Sequence, residues 1–121
     1  MGDPMITALL LLALAATPEQ ECVRNPDIET WIVRQRPLWE SRLSREPGYE
    51  APASPQACML NKRRPYSDPD ANRMWVAPIA SVNDQVSVIH EYLHLALRHH
   101  PHGRDEAYVE NLARELVEDD D

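Results

Sequence analysis

His90-Glu91-Tyr92-Leu93-His94 places two imidazoles four residues apart, with a carboxylate directly after the first. On a helix, residues i and i+4 share a face, with Cβ atoms roughly 5–6 Å apart. Both rings can then converge on one tetrahedral ion at about 2.0–2.1 Å, the distance zinc takes from imidazole nitrogen. Glu91 projects about a quarter-turn away, beside such an ion, where it can polarise a water. The chemistry this spacing suits is metal-assisted hydrolysis.

Five letters recur by chance, so the surroundings have to carry the weight. From Val86 to Leu97 the only polar positions are Ser87, His90, Glu91 and His94. A helix apolar nearly all round is normally buried. Two imidazoles and a carboxylate buried there are costly unless they pair or ligate a metal. The opposing reading, two satisfied core histidines and a solvent-reaching Glu91, fits that burial less well.

A catalytic zinc usually has three protein ligands. Glu106 lies on the first turn of the next helix and Glu110 one turn beyond it. In an antiparallel helix pair, that first turn returns close to His94, which favours Glu106. Asp105 is the alternative ligand, or the cap of its helix. His100 has the offset of a third histidine in HExxHxxGxxH, but Leu97 stands where that pattern turns on glycine.

His90–His94 followed by Asp105-Glu106-Ala107-Tyr108-Val109-Glu110 resembles the gluzincin metallopeptidases, the thermolysin-like zincins. Their second helix carries Asn-Glu-x-x-x-Asp. The resemblance implies Zn²⁺ held by His90, His94 and Glu106, with Glu110 accepting an N–H from a ligand imidazole. Asp105 and Glu110 depart from that pattern, and the link between the helices is unusually short. The resemblance further implies that Glu91 is the general base, taking a proton from water and returning it to the leaving amine. It implies a peptide substrate laid along an edge strand, for which Arg73 to Ala77 is the available segment. Tyr66, Arg64 and His102 are candidate donors to the oxyanion. The wider stretch from about Arg73 to Leu116 is also similar to the C-terminal part of bacterial predicted secreted proteins of unknown function.

The elements that must position these residues follow from pattern. Asn25-Pro26-Asp27 starts a helix with a cap, a first-turn proline and early acids. Ile28, Trp31, Ile32, Leu38, Trp39 and Leu43 continue it at helical spacing as core positions, with a kink or restart expected at Pro37. Residues 51–72 read as loop: a Pro-punctuated stretch from Ala51 to Gln56, then a polar run from Lys62 to Asp70. Arg73 to Ala77 reads as one short strand stopped by Pro78. Ser81-Val82-Asn83-Asp84 caps the motif helix, expected over about 82–99. Pro101 and Gly103 turn the chain into a last amphipathic helix from about Arg104 to Val117. His99, His100 and His102 around that turn read as a solvated group, with adventitious metal binding as the alternative. The fold class is α+β and mainly helical: a minimal zincin-like fold with a short strand or sheet packed on the HExxH helix and an antiparallel C-terminal helix.

At 121 residues the chain is one small domain. Its start, through the apolar run Ala8 to Ala16, too short to span a bilayer of about 30 Å, reads as a signal peptide over residues 1–16, with an N-terminal core helix or anchor as the alternative. Residues 17–121 then form the domain: a helical part over 22–50, the loop region 51–72, and the strand with its metal-binding helix pair over 73–121. Export suits the two cysteines, Cys22 and Cys58, as one disulfide, with two free buried thiols as the alternative. A net charge of −8 argues against nucleic acid and anionic membrane surfaces as partners. The expected function is a secreted or periplasmic zinc metallopeptidase. Two alternatives stay open: an exported zinc-binding domain without peptidase activity, and a helical interaction module whose motif is accidental.

Overall fold

Asn25 opens the first helix, its side-chain oxygen accepting from the backbone N–H groups of Asp27 at 3.1 Å and Ile28 at 3.3 Å. Helix α1 spans Pro26–Leu43. It runs unbroken through Pro37, where a kink or restart was expected. Proline leaves the Val33 carbonyl without its helical donor, and Val33 is exposed, so water can serve that carbonyl. The structure is a computed structural model that describes residues 21–118. The leader expected over 1–16 and the last acidic residues lie outside that range.

After α1 come strands β1 (Gln56–Met59), β2 (Tyr66–Asp68) and β3 (Arg73–Val76), then helices α2 (Val82–Ala96) and α3 (Glu106–Glu118). The fold is α+β and mainly helical. Two strands therefore form within 51–72, where sequence pattern indicated only loop. They make a mixed sheet in the order β1-β3-β2, with β1 parallel and β2 antiparallel to β3. The segment expected to offer a free edge, Arg73 to Ala77, supplies the central strand. Its hydrogen bonds are committed on both sides; the sheet's edges are β1, whose outer side is bridged by the segment before α1, and β2.

Cys22 and Cys58 form the disulfide. It ties the stretch before α1 to β1, alongside backbone bonds from Asn25 N to Ala57 O at 2.8 Å and from Met59 N to Val23 O at 2.7 Å. The Glu29 carboxylate accepts the Ala57 N–H at 3.0 Å, so α1 is pinned to the sheet.

The core lies where α1, the sheet and α3 close around α2. Ile32, Trp39 and Leu43 meet Met74, Val76, Ile89, Tyr92 and Leu93, with Val109, Leu112 and Leu116 behind. The Trp39 and Tyr92 rings lie 5.2 Å apart. Each such side chain, fully buried, contributes about 1.5–3 kcal/mol. None of the described helices is long and apolar enough to cross a membrane.

Helix α2 starts on Ser81, whose hydroxyl accepts from Asp84 N at 3.1 Å, while the Asp84 carboxylate accepts from Ala80 N at 2.9 Å. It ends at Ala96, three residues short of the expected limit. A succession of turns takes over: His100 N bonds Leu97 O, Gly103 N bonds His100 O, and Asp105 N bonds His102 O. Gly103 is required there, because a Cβ at this position would lie 2.0 Å from the Leu97 carbonyl oxygen. Asp105 then caps α3, accepting from Ala107 N at 3.0 Å and Tyr108 N at 3.2 Å.

Candidate metal centre

The tight turns at 97–105 return α3 past the motif helix. Glu106, on its first turn, reaches both imidazoles: Oε2 lies 2.7 Å from His90 Nε2 and Oε1 lies 3.0 Å from His94 Nε2. The two Nε2 atoms are 3.2 Å apart. Nitrogens sharing one tetrahedral zinc at about 2.0–2.1 Å would be separated by about 3.3–3.4 Å. His90, His94 and Glu106 form a group whose ligand atoms all lie within 4.8 Å of one another. Asp105, the alternative ligand, is turned to its capping role.

The other nitrogen of each ring is engaged. His94 Nδ1 lies 2.9 Å from the Gly103 carbonyl, which can only accept, so this nitrogen carries the proton. His90 Nδ1 lies 2.8 Å from Glu110 Oε1 and donates to it. With both rings neutral, the two Nε2 lone pairs and the Glu106 carboxylate are all acceptors, and either a proton on His90, donated to Glu106, or a metal ion relieves the repulsion; the donor set suits Zn²⁺. The carboxylate and carbonyl behind the rings fix tautomer and orientation in the manner metal-bound histidines need.

Glu91 is 7% exposed and lies on the floor of a cleft of about 530 Å³ lined also by His94, Glu106, Tyr66 and Ser67. Burial raises its carboxyl above the usual range, against the downward pull of His90, His94 and a hydrogen bond from Ser67. Burial lowers the His90 imidazole, but the Glu110, Glu91 and Glu106 carboxylates outweigh it and the net shift is upward. The field at the cluster therefore favours positive charge.

Residues 7–102 match the family described as "Predicted secreted protein (DUF2300)". The chain belongs to this family. The matched stretch of the DUF2300 member contains His90, Glu91 and His94 and stops before Glu106. Over 102 residues the chain is 34% identical to the uncharacterized protein YfaQ of Escherichia coli (strain K12), a stretch covering 84% of this chain and 19% of that protein. The chain thus spans about a fifth of the length of this curated relative. No solved structure gives a significant match. The family description agrees with the secreted or periplasmic location expected from the leader and the disulfide.

The remaining sequence candidates separate. Tyr66 lines the cleft, its ring stacked on Trp75 at 4.6 Å and its hydroxyl 2.6 Å from Asn61 Oδ1. Arg64 lines a neighbouring hollow. His102 packs on Tyr108 with ring centroids 5.3 Å apart. His99 is exposed at the cleft, but His100 is only 8% exposed and bonds Glu46 at 2.9 Å. Of the solvated group expected at 99–102, His99 and His102 are exposed and only His100 is buried, because a carboxylate from the loop after α1 reaches under the turn.

Three contributors escaped sequence reasoning. Ser67 lay inside a run read as polar loop, with no signal to single it out. Gly103 was read only as a turn former, although its carbonyl accepts from the His94 imidazole. Glu46, beside the Pro47-Gly48 break, gave no sign of its distant partners.

Proposed function

We propose that the chain is a zinc-dependent hydrolase of the gluzincin type, acting on peptide bonds. The observation that carries this reading is the convergence of His90, His94 and Glu106 beside a buried Glu91 at the base of an open cleft. His90, His94 and Glu106 would hold the ion. Zinc there would supply Lewis acidity and make water acidic enough to ionise near neutral pH.

The protein's own groups do the rest. Glu110 and the Gly103 carbonyl hold the two Nδ1 protons, so each Nε2 keeps its lone pair toward the cluster. Glu91 takes a proton from the attacking water and delivers it to the leaving amine, and its raised affinity for protons suits both halves of that exchange. Ser67 steadies its carboxylate. The outer edge of β2, and not β3, is the strand available to align an extended substrate.

A second reading is an exported zinc-binding domain without peptidase activity. It is favoured by the family description, which specifies secretion alone, and by the fate of the oxyanion candidates. His102 is stacked elsewhere, Arg64 faces another hollow, and the Tyr66 hydroxyl is engaged with Asn61.

Metal analysis and peptide hydrolysis on one set of variants separate these. Under the hydrolase reading, Glu91→Gln keeps one zinc per chain and loses cleavage by at least about a hundredfold. His90→Ala loses the zinc. Wild-type protein that binds zinc and cleaves nothing supports the second reading. Wild-type protein that binds no zinc returns the motif to accident and leaves a helical interaction module.

A further inference from the structure

The chain carries a net charge of −8, yet five of its cations border the cleft and the hollow beside it. Arg98 and Arg104 line one wall, with His99 between them in the same lining. Lys62, Arg63 and Arg64 line a second hollow that shares Pro65 and Tyr66 with the cleft. Five of the chain's twelve Lys and Arg residues therefore border one continuous surface.

Their pairing is light. Arg98 meets Glu50 at 3.2 Å, and the Lys62 ammonium stands 4.7 Å over the Tyr66 ring. Arg63, Arg64 and Arg104 make no ion pair within the described residues. The carboxylates of the cleft are differently placed: Glu91 and Glu106 belong to the histidine cluster, which leaves Asp70 as the other acid in the lining. Exposed cations around a recess focus the potential and raise the local concentration of anionic ligands.

β2 runs from the basic hollow to the cluster. Arg64 precedes it, and Ser67, on it, bonds Glu91. A strand advances about 3.3 Å per residue, so an extended ligand beside β2 covers that interval in about three residues.

We propose that the cleft selects an acidic polypeptide segment, with an acidic side chain about three residues from the position facing Glu91 held by Lys62, Arg63 and Arg64. Arg104 and Arg98 receive further acids across the cleft. The placement rests on the hydrolase reading, because Glu91 marks where the scissile bond lies. The binding preference itself is measured without hydrolysis.

The test uses zinc-loaded full-length Glu91→Gln and dye-labelled peptides of about twelve residues, Glu-rich, Gln-rich or Lys-rich, followed by fluorescence anisotropy. An exposed ion pair changes affinity by no more than about fivefold, so several together should favour the acidic peptide by about tenfold or more over the neutral one. That margin shrinks as salt shortens the screening length. Replacing Arg63, Arg64 and Arg104 with Ala removes most of the margin and leaves Gln-rich binding unchanged. These exposed substitutions leave the thermal unfolding curve in place.

Equal binding of the three peptides, a preference for Lys-rich peptide, no binding of any, or a margin untouched in the Arg63→Ala/Arg64→Ala/Arg104→Ala variant overturns the proposal. The two readings fail separately. Acid-selective binding by a wild-type protein that cuts nothing refutes the hydrolase alone. Equal cleavage of acidic and neutral peptides refutes the acidic selectivity alone.

Discussion

Replacing Glu46 with Gln tests how the His90–His94–Glu106 cluster is held from behind. Glu46 is 9% exposed. Its Oε2 accepts from Tyr108 at 2.7 Å and from His100 Nε2 at 2.9 Å, while its Oε1 meets Arg42 at 2.9 Å. His100 is fixed as a donor at Nε2 because its Nδ1 accepts the His102 backbone N–H at 2.9 Å. The same turn presents the Gly103 carbonyl to His94. One carboxylate thus joins the end of α1, the turn and α3. A glutamine oxygen can still serve Tyr108 and His100, but its amide then opposes the Arg42 guanidinium, donor to donor. Losing one charge-assisted, part-buried interaction of this kind costs about 1.5–3 kcal/mol. For a domain of about a hundred folded residues that lowers the melting temperature by about 7–14 °C.

The pH dependence of the Glu46→Gln effect has a definite sign. Burial pushes the Glu46 carboxyl up, but hydrogen bonds from Tyr108, His100 and Arg42 outweigh it, and the net shift is below the usual 4.5. Its stabilisation is therefore complete above the unfolded-state value and is lost as pH falls through the lower folded value. Urea unfolding of metal-free protein at pH 7 and pH 3 should show a wide gap between wild type and Glu46→Gln that narrows in acid. If the cluster holds zinc as proposed, its affinity at pH 7 should also fall, by about ten- to a hundredfold, as the Gly103 carbonyl loses its support. A gap under about 0.5 kcal/mol at pH 7, or one equally wide at pH 3, would refute the reasoning, since surface substitutions reach that size without any buried network.

Two further outcomes follow from the same framework. Removing the disulfide by Cys22→Ala/Cys58→Ala opens a loop with a sequence separation of 36 and should cost about 3–4 kcal/mol in urea unfolding; a loss under about 1 kcal/mol would mean the backbone bonds to β1 suffice. Gly103→Ala puts a methyl 2.0 Å from the Leu97 carbonyl oxygen, so the turn must move. About 1–3 kcal/mol of stability should go with it, together with zinc affinity; unchanged zinc affinity would show that the Gly103 carbonyl does not orient His94.

The helices were legible because their signals are local. Asn25-Pro26 and Ser81 to Asp84 mark starts within four residues of the groups they cap. The apolar run of α2 declares its burial without any knowledge of its partners. β1 and β2 were not legible for the converse reason. They are four and three residues long, too short for alternation to register, and β2 is bracketed by Pro65 and Pro69. What makes Gln56–Met59 a strand is a parallel partner at Arg73–Val76, and no local pattern states that pairing. Missing both neighbours made β3 look like an edge, which misdirected the substrate strand as well.

The site divides along the same line. His90, Glu91 and His94 were visible because helical period alone sets their mutual placement. Glu106 and Glu110 followed because a short turn must return α3 past the motif, and their one-turn spacing meets His90 twice. What period cannot express is which ring nitrogen faces the cluster. That depends on a backbone carbonyl at Gly103, which no residue type announces, and on the support of its turn by Glu46, 54 positions before His100. Which residues converge is thus written in side chains, whereas the orientation of their rings is written in the backbone and in long-range pairing. A variant set that spares every candidate ligand yet weakens zinc binding, Glu46→Gln and Gly103→Ala together, addresses the second half of that division directly. Both substitutions act through one turn, so their effects on zinc affinity should be less than additive. Full additivity would mean that Glu46 and Gly103 reach the cluster by separate routes.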